Sequence, residues 1–110
     1  MDRKTLTKLN RGSLEIEATL DLHGYTLESA HHRLTHFITS CKQRRLKYVL
    51  IITGKGGRGK TGFTSAMGLL RNAVPQWLRT TPLSHHVIGI NTAHQSKGGE
   101  GALYVSLRTK

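Results

Sequence analysis

From residue 15 to residue 23 apolar and polar positions alternate, with Ile16, Ala18, Leu20 and Leu22 on one side and Glu17, Thr19, Asp21 and His23 on the other. A period of two predicts a half-buried strand near a sheet edge. After Gly24 the period lengthens, and Leu27, Ala30, Leu34, Phe37, Ile38 and Cys41 recur at helical spacing. This predicts a helix capped by Thr26, with Glu28 in the first turn where the dipole favours a carboxylate. Residues 42–47 form a basic turn. Residues 48–53 are apolar without alternation and rich in β-branched side chains, as expected of a central strand covered on both faces. A second helix is expected over 66–78, weakened by Gly68 and by Pro75, which either kinks it or starts a fresh turn. Residues 80–84 connect to a third strand over 86–91. Residues 92–101 are polar and glycine-rich. Residues 102–107 then alternate Leu103, Val105 and Leu107 with Tyr104 and Ser106, a final strand antiparallel to the third.

The order βαβαββ predicts an α/β two-layer sandwich, a four-stranded mixed sheet with two helices on one face and right-handed crossovers. The first three strands then end at one edge. His23-Gly24, the loop 53–60 and the hairpin loop 92–101 converge there, where open α/β sheets usually hold their ligands. Residues 1–13 are basic and lack a clear period, so a flexible arm is expected there and one folded domain over 14–110.

Charge changes the picture more than length does. Seventeen Lys and Arg against six Asp and Glu leave a formal charge of +11. That excess points to a polyanionic partner, and nucleic acid is the commonest one. No apolar stretch approaches the roughly 18 residues of a membrane-spanning helix, so no membrane partner is expected. Cys41 stands alone, which excludes a disulfide framework or a thiolate cluster and suits a cytoplasmic protein. No heptad or large apolar face is visible, so a monomer is expected.

Three segments carry candidate chemistry. The first, Gly54 to Thr61, fits the nucleotide-binding pattern GxxxxGK[ST]. However, Gly62 opposes the helix that should start there, and Asp21 is the only carboxylate placed to close another strand around magnesium. A nucleotide-binding protein is therefore the third reading, and the loop is read instead as a phosphate grip with Lys55, Arg58 and Lys60 on it. In the second segment, Asp21 and His23 share one face of the first strand. A carboxylate beside an imidazole fixes its tautomer and equips it as a general base or acid. Such a pair could activate water or a ribose 2′-hydroxyl while the loop cations neutralise charge on phosphorus. Standing alone, an Asp-x-His pair is better explained by capping and packing; its place at the convergent edge beside the basic glycine loop brings the two readings level. The third segment, Gly98-Gly99-Glu100-Gly101 preceded by His94 and Lys97, is either a plain hairpin or the second wall of a groove for a sugar-phosphate backbone. His32 and His36 have metal-pair spacing but lie opposite the apolar stripe, which reads as solvated helix surface. Tyr25, Tyr104 and Trp77 could stack on bases, although Trp77 reads better as core.

Taken together, Leu-Asp-Leu-His-Gly at 20–24, Thr-Gly-Lys-Gly at 53–56 and Gly-Gly-Glu-Gly-Ala at 98–102 resemble the small MutS-related (Smr) domain family over about residues 14–107. The resemblance implies a fold like the C-terminal domain of translation initiation factor three, DNA or RNA binding, and in many members endonuclease activity, including cleavage of mRNA on stalled ribosomes. It makes Asp21 and His23 the catalytic pair and Thr53, Gly54, Lys55 and Gly56 the substrate loop. One departure stands out, because several members carry His where this chain has Thr53; if that imidazole is a needed acid or base, either this chain binds and cleaves poorly or His94 substitutes for it. The motif does not settle metal dependence: magnesium is the one cofactor considered, and the sequence has no dense carboxylate cluster to hold it. The leading expectation is a cytoplasmic endonuclease whose Lys97, Gly98, Gly99 and Gly101 line the groove with the first glycine loop. The alternative is a non-catalytic nucleic-acid- or ribosome-binding module.

Overall fold

The computed structural model describes residues 3–54, 66–93 and 101–109. Its elements run α1 (Arg3–Arg11), β1 (Ala18–Asp21), α2 (Leu27–Gln43), β2 (Tyr48–Ile52), α3 (Ala66–Leu78), a short 3-10 turn (Leu83–His85), β3 (Val87–Thr92) and β4 (Ala102–Leu107). The sheet order is β1-β2-β4-β3. β1 pairs parallel with β2, and β4 lies antiparallel between β2 and β3. The predicted four-stranded mixed sheet is present, and β1, β2 and β3 do end at a common edge.

α2 starts where the cap signal placed it. The Thr26 hydroxyl accepts the Ser29 amide at 3.1 Å and Ser29 Oγ accepts the Thr26 amide at 3.1 Å, a reciprocal box that stabilises the first turn by about 1 kcal/mol. At the other end the Leu46 amide donates to the Cys41 carbonyl and the Arg45 amide to the Lys42 carbonyl. That bond pair closes the helix with its first outside residue in the left-handed region. Arg45 occupies it at φ 59°, where a side chain costs roughly 1–2 kcal/mol that glycine would not. Pro75 neither ends nor divides α3, which continues through it.

α2 and α3 cover one face of the sheet. Leu20, Leu22, Val49, Ile51, Val105 and Leu107 meet Ala30, Leu34, Ile38, Cys41, Leu70, Val74 and Leu78 in one buried cluster. Each fully buried Leu or Ile there contributes about 1.5–3 kcal/mol. Trp77 is partly buried and packs against this cluster, its ring centroid 4.6 Å from that of His31 with the planes tilted by 45°. His32 and His36 are exposed, as their helical phase required.

The opposite face departs from expectation. Residues 3–11, expected to belong to a flexible arm, form α1, which lays a fully buried Leu9 on Leu50, Ala93, Ala102 and Tyr104. Tyr104 is therefore buried and gives its hydroxyl hydrogen to Asn10 at 2.9 Å, which removes it from the base-stacking candidates. Tyr25 packs against the other cluster. A two-helix layer has become a sheet with helices on both sides, because a third amphipathic turn supplies apolar cover for the β4 face that alternation left open.

Candidate nucleic-acid interface

The site begins with how β1 ends. The Leu22 amide donates to the Ile52 carbonyl at 2.7 Å, and Leu22 itself is buried in the α2–α3 core, so the strand is fixed up to that residue. The Tyr25 amide then donates back to the Leu22 carbonyl at 3.1 Å, making a four-residue turn with Gly24 at φ 84°. A third position of this kind favours glycine, which is why His23-Gly24 follows the strand directly. The turn lifts His23 out of the sheet beside Asp21.

Both side chains are open to solvent, His23 at 65% and Asp21 at 48%. Asp21 Oδ1 accepts the His23 amide at 3.1 Å and lies 2.7 Å from His23 Nδ1. Partial burial opposes ionisation of Asp21, but the bonds from the His23 ring and amide outweigh it and hold the carboxyl below its ordinary value of 3.8. An ionised carboxylate can only accept, so Nδ1 carries the hydrogen and the Nε2 lone pair of neutral His23 is left free. The arrangement can take a proton from a molecule approaching the turn.

At the end of β2 the geometry is of another kind. Thr53 is 1% exposed. Its amide donates to the Gly101 carbonyl at 2.7 Å, its hydroxyl to the same oxygen at 3.2 Å, and the Gly54 amide joins them at 3.1 Å. The Ala93 amide in turn donates to the Ala102 carbonyl at 3.0 Å, tying the end of β3 to the start of β4. Gly54, next to the latch, has φ 91°, a conformation that favours glycine. In register, Asp21, Ile52 and Ala102 stand on one rung, with Thr53, Gly54 and Gly101 just beyond it. Thr53 continues the Val49–Ile51 row toward the α2–α3 core, whereas Asp21 lies in the Leu50–Ile52 row of the α1 face.

Of the candidate residues, the structure brings Asp21 to His23, and Thr53 and Gly54 to Gly101, at one edge. Lys55, Gly56, Arg58, Lys60, His94, Lys97, Gly98 and Gly99 lie outside the described residues. The latch formed by the Thr53 hydroxyl on the Gly101 carbonyl escaped sequence reasoning; its one signal is a threonine closing an otherwise apolar strand. Among the described residues no group of three or more His, Cys, Asp or Glu is placed to hold a metal ion, and no helix is long and apolar enough to cross a membrane.

Residues 20–108 match the model of the Smr domain. Ribosome rescue factor SmrB of Haemophilus ducreyi is 30% identical over 105 residues, covering 96% of this chain and 52% of that protein. The Haemophilus influenzae SmrB is 32% identical over 104 residues, covering 94% and 54%. The chain thus spans about half the length of these relatives. Among solved structures, YdaL, a stand-alone small MutS-related protein from Escherichia coli, superposes with a TM-score of 0.76 at 28% identity, over 98% of this chain and 78% of its own. The Smr domain of Thermus thermophilus MutS2 does so with 0.67 at 25% identity, over 83% and 98%. By its matched residues, its motifs and its fold, the chain belongs to the Smr domain family.

Proposed function

We propose that this chain is a nucleic-acid-binding Smr domain that works on ribosome-associated RNA, and that Asp21 and His23 make it an endonuclease. The observation that carries the catalytic part is the exposed 2.7 Å pair, whose ionised Asp21 leaves Nε2 of His23 as an oriented base. Support for the RNA partner comes from the formal charge of +11 and from the ribosome rescue factors among the relatives. In the proposed step Nε2 accepts the 2′-hydroxyl proton and the 2′-oxygen bonds to phosphorus. The bond to the 5′-oxygen breaks, leaving a cyclic phosphate on one product, and the departing oxygen takes up a proton. Lys55, Arg58 and Lys60, which follow Gly54 in the sequence, would neutralise the phosphorane together with backbone amides of both glycine loops. His94 and Lys97 would complete the second wall with Gly98, Gly99 and Gly101. Binding through amides and lysines gives low sequence preference.

A non-catalytic binding module is the second reading, and the buried Thr53 favours it. Several family members place an imidazole at this position, whereas here the side chain is turned inward and its hydroxyl is held by Gly101. Wild type and His23→Ala, each incubated with single-stranded RNA, supercoiled DNA and ribosome-bound mRNA, with magnesium and with EDTA, separate the readings. Cleavage lost in His23→Ala with affinity intact, and products ending in a cyclic phosphate, are the results expected. Equal cleavage by both proteins would overturn the role of His23, and binding without cleavage by wild type would leave the module alone.

A further inference from the structure

A second concentration of positive charge lies at the other edge of the sheet. The basic turn 44–47 enters β2 there, and β4 leaves beside it: the Leu107 amide donates to the Lys47 carbonyl at 2.8 Å, and Lys42 Nζ reaches the Arg108 carbonyl at 3.2 Å. The Arg108 guanidinium donates through Nε to the His85 carbonyl at 3.1 Å, which draws the end of the 3-10 turn into the same surface. Arg44, Arg45, Lys47 and Arg108 are all exposed on it. Glu17 is the acid placed here, and its Oε1 is taken by the amides of Lys47 and Tyr48. The five residues of β2 separate this edge from the Asp21–His23 edge by about 17 Å.

Solubility alone does not explain the patch, because one of its cations sits where the backbone disfavours it. Arg45 holds the left-handed position that closes α2, a position glycine fills without strain. Backbone strain of this kind persists only where the surrounding structure holds it, and it clusters at functional sites. We infer that Arg44, Arg45, Lys47 and Arg108 form a second binding surface for the phosphate backbone of nucleic acid, on the side of the sheet edge opposite the cleavage site. A long or folded strand can then be held at two places at once, and the second hold does not depend on cleavage.

The test uses the full chain and two substitutions, Arg45→Gly and the triple variant Arg44→Gln/Arg45→Gly/Lys47→Gln. Fluorescently labelled RNA and DNA duplexes of one sequence are titrated at several salt concentrations, with thermal unfolding measured in parallel. The triple variant is expected to bind about tenfold more weakly at low salt, with a log–log salt slope shallower by about 2.7, since each duplex phosphate contact accounts for roughly 0.9. Arg45→Gly should melt at a higher temperature yet bind more weakly, a pairing of signs that a merely structural residue does not give. The turnover rate on saturating short single-stranded RNA should stay at the wild-type value, whereas His23→Ala should lose it and keep the slope, so the two functions fail separately. A triple variant with wild-type affinity and slope overturns the inference. So does one that holds both duplexes as wild type but no longer binds polyglutamate, which would assign the surface to an acidic protein.

Discussion

β1 and β2 end side by side at one edge, and their last residues are put to opposite uses. At the end of β1, Asp21 and His23 face solvent and each other, with one ring nitrogen left free. At the end of β2, Thr53 is buried, and its amide and hydroxyl both bond one carbonyl of the strand beside it. Thr53 lies one residue beyond the rung of Asp21, and that offset separates them by face, since Asp21 follows the Leu50–Ile52 row and Thr53 the Val49–Ile51 row. Proximity to the glycine loop therefore does not make a residue available for chemistry. Parity along the strand decides it, and one residue's shift in parity turns a candidate acid or base into a structural tie.

The largest effect is expected from removing the ring at the end of β1. His23→Ala should lower the rate of single-turnover RNA cleavage about 10²–10⁴-fold, the usual worth of a positioned proton acceptor. Circular dichroism and RNA affinity should not change, because the side chain is two-thirds exposed and its one side-chain partner is Asp21. Next in size is the support beneath the Asp21 row. Leu9→Ala empties a fully buried position between α1 and the Leu50–Tyr104 face and should cost about 2–5 kcal/mol in urea unfolding. A loss within a few tenths of a kcal/mol would mean that α1 is not part of the cooperative unit.

What the sequence made legible follows from the length of each signal. Four turns of apolar spacing over 27–41 located α2 and its cap, and the unbroken run 48–53 located β2 almost to the residue. Asp21 and His23 could be paired from their spacing of two, although the strand expected to run through His23 ends at Asp21 and it is the turn that sets the ring beside the carboxylate. α1 was missed for the converse reason: Leu6 and Leu9 give a single i, i+3 pair in a nine-residue helix whose other positions are mostly polar or basic, too little to set a period. Its apolar side is buried against Leu50, Ala93, Ala102 and Tyr104, and contacts that distant in sequence leave no local trace. The same blindness hid the Thr53 latch, since Gly101 lies 48 residues away in sequence. Arg45 escaped notice because a positive φ is expected of glycine or asparagine, so the turn at 42–47 spelled charge and nothing about its backbone.

At β2 the expected effect is smaller. Thr53→Val keeps the shape of the side chain and removes one hydroxyl, while the amides of Thr53 and Gly54 still satisfy the Gly101 carbonyl. Stability should fall by about 0.5–1.5 kcal/mol with cleavage per folded molecule unaltered. Thr53→His, which would restore the residue of other family members, instead forces a larger polar ring into a site that is 1% exposed. It should destabilise by about 1–3 kcal/mol and give no gain in rate. A gain in rate at undiminished stability would show that position 53 can reach the substrate and that the division between the two strand ends is false.

The smallest effect belongs to Asp21 and separates orientation from stability. Its carboxyl is held below 3.8 in the folded chain, chiefly by the ring and amide of His23 working against partial burial. A depressed folded value means that the contribution to stability is fully present above the unfolded value and is lost as pH falls through the folded one. The melting temperatures of wild type and Asp21→Asn should therefore differ by a small constant amount from neutrality down to about pH 5, and converge below about pH 4. Half-exposure keeps that gap small, because solvent screens the pair. Over the same neutral range Asp21→Asn should slow cleavage far more than it shifts melting, since an amide no longer fixes which ring nitrogen carries the hydrogen. If the rate and the melting temperature change in proportion instead, Asp21 acts only by holding the turn, and His23 needs no partner to serve as the base.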